Sequence, residues 1–366
     1  MIRTHILSPD TEATLLLCGR LGKARQDDAA PLTPTEYARL ARWLLDAGKR
    51  PADLLGIDSR SMLENDEPPV PAARLLALLD RGGALALAIE GWSNRGLWVV
   101  SRSDEELYPR RLRASRSSPP VLYGAGNVAL LSCGGLAMVG SRDADDEALD
   151  FTRRVATTCA EQGVQVVSGG ARGVDTEAMA ACLTAGGSSV AVLADSLSRA
   201  ALSGKYRDAL LDENLALVSP YDPASGFDRG GAMGRNKYIY ALADHALIVS
   251  ASTQGGTWTG AVEALRHGGT PVFVRDPGDV PEGNRLLREK GAKPFPVEPW
   301  EDLLGDLNRE VPSEEVAQHA PDRAVQSEPE PAGAAFQQGQ LLPVDSSGQD
   351  GAVGQDASHP RDEDRS

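Results

Sequence analysis

With 366 residues the chain is long enough for one large domain and a smaller one, and its net charge of −15 excludes a uniformly basic polyanion binder. No apolar run approaches the ~20 residues a membrane helix needs, and Asp10 and Glu12 break the apolar patch at the N-terminus, so neither a span nor a signal peptide is expected. Cys18, Cys133, Cys159 and Cys182 form no CxxC pair, which argues against a metal site or disulfide framework. All four thiols read as small buried apolar residues, and a reducing cytoplasmic setting fits them.

The first hundred residues are helical in pattern. Thr33–Ala47 combines a Thr cap and an early Glu36 with apolar residues at Tyr37, Leu40, Trp43, Leu44 and Ala47, the spacing of one helix face. Ala72–Leu79 reads as another helix after Pro71, while Ala86–Trp98 fits helix and strand alike. Residues 1–105 are therefore expected to form a small helical N-terminal domain. A connector, Asp104–Asn127, then carries Arg110, Arg111, Arg113 and Arg116, the densest basic run in the chain. Charge runs are usually solvated surface; a contact to a phosphate backbone is the sharper alternative.

From Leu136 strand and helix alternate. Strands are predicted at 136–139, 164–167, 189–193, 215–218, 246–250 and 271–274, with helices near 145–162, 175–185, 205–213, 235–243 and 257–267. The strands are rich in Val, Ala and Leu with little alternation, as a parallel sheet buried on both faces requires. Right-handed crossovers then give an α/β fold: an extended Rossmann-like, doubly wound, mostly parallel sheet over residues 106–300. From Val311 to Ser366 there are 11 acidic against 3 basic residues, many Pro, Gly, Ser, Gln and Ala, and no apolar period. Residues 311–366 are expected to be an acidic disordered tail. Since the tail holds eight of the fifteen net negative charges, the objection to a polyanion ligand weakens.

Four small-residue clusters stand out, each after a predicted strand or before a helix. They are Gly140-Ser141-Arg142, Ser168-Gly169-Gly170-Ala171-Arg172-Gly173-Val174-Asp175, Gly234-Arg235-Asn236-Lys237 and Gly255-Gly256-Thr257-Trp258-Thr259. Glycines let a backbone approach a phosphate, helix N-termini offer free N–H groups, and Arg and Lys supply charge. One such cluster can simply be a tight corner; four along one sheet edge point to a phosphate ligand. The spacings of a P-loop (GxxxxGK[ST]) and of a dinucleotide fingerprint (GxGxxG) are both absent. Asp175, opening a helix, reads as an N-cap or a brace for Arg172. Five scattered histidines support no catalytic triad, and Trp258 either stacks on a base or packs.

In chain order, YPRRLR…PPVLYGAGN, AMVGSR, VVSGGARGVDTEAM, AVL, GRNKYIYALAD and GGTWTGAVEAL resemble the DprA/Smf family of DNA-processing proteins over roughly residues 95 to 297. The resemblance implies single-stranded DNA binding without catalysis or cofactor. It also implies help in loading a RecA-type recombinase, in recombination or natural transformation, and a homodimer formed through the Rossmann-like domain. Carried over by motif, Gly140, Ser141 and Arg142 grip phosphate, and Arg172 and Gly173 shape the adjoining Ser168-Gly169-Gly170 loop. Arg235, Asn236 and Lys237 line the basic pocket, and Gly256 and Thr257 the neighbouring turn. The chain departs from the family at Met179, where members have His, at Ala194–Ser198 and at Ser219–Pro223. The acidic tail stands where many members carry a winged-helix-like domain. These departures keep a second function in view: a nucleotide sensor of the wider DprA/LOG superfamily, serving defence against foreign DNA. A LOG-like phosphoribohydrolase ranks third, because Gly255-Gly256-Thr257 and Glu263 only echo that family's motif.

Overall fold

The computed structural model describes residues 7–22, 29–115, 118–276 and 278–309. Among these, nine strands form one sheet: β1 (Leu97–Ser101), β2 (Val121–Gly126), β3 (Leu136–Gly140), β4 (Val166–Ser168), β5 (Ser189–Val192), β6 (Leu215–Ser219), β7 (His245–Ser250), β8 (Val272–Val274) and β9 (Lys293–Pro294). Their order is β1-β2-β6-β5-β4-β3-β7-β8-β9. Pairing is parallel from β6 across to β9, and β1 and β2 extend the β6 edge antiparallel. This is the α/β, mostly parallel, Rossmann-like sheet expected from the strand pattern.

Residues alternate between two apolar cores. In β3, Leu136 and Met138 pack with Phe151 and Val155 of the Asp146–Glu161 helix, whereas Ala137 and Val139 join Ile239 and Ala261 on the other face. Helices on both faces explain why these strands carry no polar alternation. Each Val or Leu side chain so buried contributes roughly 1.5–3 kcal/mol. Strand order reverses at β3: β4, β5 and β6 step away on one side, β7, β8 and β9 on the other. At such a switch point the loops after the two central strands part, and a crevice opens at the carboxyl edge.

The helical part has its own core. Thr33 Oγ1 accepts from the Glu36 N–H (3.2 Å) and Glu36 Oε2 accepts from the Thr33 N–H (2.8 Å), closing a capping box on the helix Pro34–Asp46. That helix buries Tyr37, Leu40 and Leu44 with Leu63, Leu75 and Leu78. A further cluster joins Leu15, Leu16 and Trp92 to Val121, Tyr123 and Leu217 of the sheet.

Several local expectations change. The ambiguous Ala86–Trp98 stretch divides into a helix, Gly82–Ser93, and the start of β1, an edge strand that precedes residue 105. The basic connector contains β2, whose pattern is masked by Gly124 and Gly126. Gly124 is required there, because a Cβ would overlap the Trp98 ring lying over it. The helix predicted at 205–213 breaks into the short turns Gly204–Tyr206 and Arg207–Leu211, and the one predicted from 235 begins at Arg229. Cys159 and Cys182 are buried, but Cys133 is exposed and Cys18 half-buried. Arg116 and the acidic tail, 311–366, lie outside the described residues.

Candidate functional site

A cavity of about 460 Å³ occupies the crevice between the ends of β3 and β7. Gly140, Ser141 and Arg142 line it from the loop after β3, Arg235 and Asn236 from the Arg229–Leu242 helix, and Gly256 and Thr257 from the start of the Gly256–His267 helix. Two hydrogen bonds fasten these parts together. Thr257 Oγ1 donates to the Gly140 carbonyl (3.1 Å), and Asn236 Nδ2 donates to the Gly256 carbonyl (3.0 Å). The Gly256–His267 helix has Gly255, at φ +95°, as its cap and no side-chain acceptor for its first amides. Its positive end therefore borders the cavity with free N–H donors.

The charges lie at two depths. Arg142 is exposed, its guanidinium 5.3 Å from the centre of the Phe227 ring, and Arg229 joins it on the lining. Arg235, at the floor, is 5% exposed. Its Nη1 donates to the Val192 carbonyl, and its Nε has no partner. Burial lowers the Arg235 pKa, against the attraction of Asp175 and Asp195. Asp175 is 6% exposed, and burial pushes its carboxyl up to about 6, against the Arg235 charge and the N–H groups of Ala171, Gly140 and Gly169. So a buried cation and a buried, weakly acidic carboxyl share the floor.

The remaining candidates stand behind this lining. The Ser168 hydroxyl is fully buried and donates to the Met138 carbonyl (2.7 Å). A Cβ on Gly169 would overlap Arg235 and lie 2.6 Å from Asp175 Oδ2, while Gly170 turns at φ +67° beneath Leu193. Arg172 pairs with Asp143 at the surface. Gly173, at φ +86°, lets the Val174 N–H reach the Ser141 carbonyl (3.3 Å), which locks the first two loops together. Lys237 is half-buried with Nζ 5.2 Å from the Tyr238 ring centre.

Two expectations are corrected, and the basic connector takes its usual surface role. Asp175 faces Arg235 rather than Arg172, because it lies inside the Val174–Thr184 helix and points under the loop. Arg235, Asn236 and Lys237 lie within a helix, since Asp228 caps it ahead of Gly230 and Gly231 (Oδ2 to Gly231 N, 2.6 Å). In the connector, Arg111 pairs with Asp244 at the amino end of β7, the opposite edge from the cavity.

Sequence reading missed Arg229, Phe227 and Asn284. Asn284 is buried, accepts from the Ala251 N–H (2.8 Å) and donates to the Val249 and Arg275 carbonyls (both 3.0 Å), tying the ends of β7 and β8. Its signal was a Pro281 helix start; the Asp228 cap would have revealed Arg229.

Among the described residues, no group of His, Cys, Asp or Glu is arranged to hold a metal, and no helix is long and apolar enough to cross a membrane.

Comparison with known proteins agrees with this architecture. The family model described as DNA recombination-mediator protein A matches residues 99–308, more than half of the chain. Protein Smf of Escherichia coli is 33% identical over 201 residues, covering 52% of each chain. DNA processing protein DprA of Streptococcus pneumoniae is 28% identical over 196 residues, 52% of this chain and 68% of that one. Its X-ray structure superposes with a TM-score of 0.62 at 21% identity, covering 82% of this chain and 98% of that one, a likeness of fold. The chain spans about half the length of the first curated relatives it matches. On the family model's match across β1 to β9, the chain belongs to the DNA recombination-mediator protein A family, that of the DprA and Smf proteins.

Proposed function

We propose that the chain is a non-catalytic single-stranded DNA-binding protein that acts in DNA processing and recombination and helps to load a RecA-type recombinase. One observation carries the reading. Loop residues after β3, a helix N-terminus after β7 and three arginines at two depths converge on one cavity at the sheet's switch point. Free N–H donors and guanidinium groups suit a phosphodiester, and Arg142 and Arg229 at the exposed mouth suit a strand that continues past it.

In this reading Gly140, Ser141, Arg142, Arg235, Asn236, Gly256 and Thr257 contact phosphate. Ser168, Gly169, Gly170, Arg172, Gly173 and Lys237 shape or flank the loops. The chain works in the cytoplasm as a homodimer. It divides into a helical part, a Rossmann-like part and an acidic tail, with the first boundary placed ahead of Leu97 because β1 pairs into the sheet.

A second reading, a sensor of mononucleotides, is favoured by the cavity volume of about 460 Å³, in the range of small-ligand sites. Fluorescence anisotropy of a labelled single-stranded oligonucleotide, titrated at several salt concentrations, separates the two. DNA binding predicts affinity that falls steeply with salt and resists mononucleotide competition. Displacement by a mononucleotide, or no polymer binding, would transfer the assignment to the sensor.

A further inference from the structure

The donors at the cavity floor are already turned toward one carboxylate. Asp175 accepts from the Ala171 N–H (3.4 Å), and the N–H groups of Gly140 and Gly169 also favour its charged form. Those amides belong to two of the loops around the cavity. Arg235 faces Asp175 across the space that a Cβ on Gly169 would fill, close enough for their charges to attract but without a direct hydrogen bond between them. Arg235 instead spends one N–H on the Val192 carbonyl and keeps Nε without a partner in a buried position. Asp175 thus holds the electrostatic place, between these N–H groups and Arg235, that an anion in the cavity would take.

We propose that Asp175 is a positioning residue that orders the loop N–H groups and Arg235 with its own negative charge, and gives way by taking up one proton when a phosphodiester binds.

The inference rests on the DNA-binding reading and names the group that regulates that site. A phosphodiester stays ionised at any physiological pH, so of two negative charges brought together in a dry floor only the carboxylate can be neutralised. The Asp175 carboxyl, held at about 6 by burial in the free protein, is close enough to neutrality for that protonation to be reached. The charged and titratable groups around the pair are Arg142, Asp195, Tyr221 and Tyr240, with Arg229 and the Arg172-paired Asp143 on the cavity lining; burial raises both tyrosines, which stay neutral. No histidine stands among them.

The sign follows from linkage. Binding raises the Asp175 pKa from about 6, so affinity strengthens as pH falls through the window between the free and bound values and levels off below about 6. Within that window the slope approaches tenfold in Kd per pH unit.

The test uses the full chain and a rhodamine-labelled oligothymidylate without terminal phosphates, so that the ligand does not titrate. Anisotropy is measured between about pH 5.5 and 8.5 at fixed salt. The expected native result is a Kd that tightens by about fiftyfold on acidification across that range, and a profile for Asp175→Asn that is flat at the tight end. A native profile as flat as that of the variant, with binding intact, overturns the inference and leaves the DNA-binding reading standing. Failure of the native chain to bind the oligonucleotide at any pH overturns the reading itself. If Asp175→Asn does not fold, calorimetry of the native protein in two buffers of different ionisation enthalpy decides: uptake of about one proton per strand near pH 7 supports the role, and zero uptake removes it.

Discussion

Asp175 and Arg235 flank Gly169 so closely that a Cβ there would overlap the guanidinium and lie 2.6 Å from the carboxylate, yet the two side chains form no ion pair. The missing side chain of a single glycine makes room for a buried cation and a buried acid to face each other at the floor of the site. Gly169→Ala therefore forces Arg235 to move while leaving the backbone conformation accessible. The expected outcome is a folded protein destabilised by about 1–3 kcal/mol, with oligonucleotide affinity reduced at least tenfold. Thermal melting and anisotropy measure the two effects, and unchanged affinity in a folded variant would take Arg235 out of the binding site.

Arg142 stands at the exposed mouth with Phe227 beneath it. Removing it touches no core, so Arg142→Ala should leave stability within about 0.5 kcal/mol of native. Binding should weaken by about 1–3 kcal/mol, and the slope of log affinity against log salt should drop by about one phosphate contact. An unaltered salt slope would place the phosphate elsewhere.

Ser168 sits among the small residues of the second loop, yet its hydroxyl points into the sheet toward the Met138 carbonyl. Ser168→Ala leaves that carbonyl without its side-chain donor, at a cost of about 1 kcal/mol of stability. Oligonucleotide affinity should stay at the native level. A fall in affinity without a fall in melting temperature would show that the hydroxyl reaches the ligand.

Asn284 holds the backbone at Val249, Ala251 and Arg275, just before the loop that supplies Ser252 to Gly256. Asn284→Ala leaves these buried groups unpaired and should destabilise the protein by roughly 1–3 kcal/mol. Hydrogen exchange should quicken at residues 251–256, and affinity should fall although Asn284 lies outside the cavity. Unchanged exchange there would mean that the loop is held by its own turns.

Acid stability depends on the helical part as well. Arg74, through a 2.7 Å ion pair, and then the Thr33 N–H hold the Glu36 carboxyl down to about 2. A depressed carboxylate stabilises the fold above its unfolded pKa of about 4.3 and loses that contribution as pH falls through about 2. Glu36→Gln should lower the melting temperature at pH 7, with the gap to native closing between pH 4 and pH 2. A gap independent of pH would assign the loss to the capping geometry alone.

The strands that proved legible, β3 to β8, are those buried on both faces, where the central residues are apolar and the few polar ones, such as Ser168 and Ser189, sit at strand ends with their hydroxyls bonded to backbone carbonyls. Val166, Val167 and Leu247 announce themselves without any partner being known. The capped helix at Thr33 is equally local, since its box is written within four residues. β1 and β2 were harder because Trp98 and Gly124 make sense only together. The glycine is small because an indole from another strand lies on it.

The sequence by itself determined the parallel sheet, the four small-residue clusters and the family, because apolar periodicity and glycine-rich turns are properties of neighbouring residues. Only the tertiary structure decided which clusters meet. Gly140, Arg235 and Thr257 converge because strand order reverses between β3 and β7, whereas Ser168 turns inward and Arg172 pairs with Asp143 at the surface. The charge that faces Asp175 was likewise hidden, because Arg235 comes from a helix some sixty residues away and stands opposite it only when that helix packs over the sheet. A side chain's direction and its distant partner are set by packing, which no local pattern encodes.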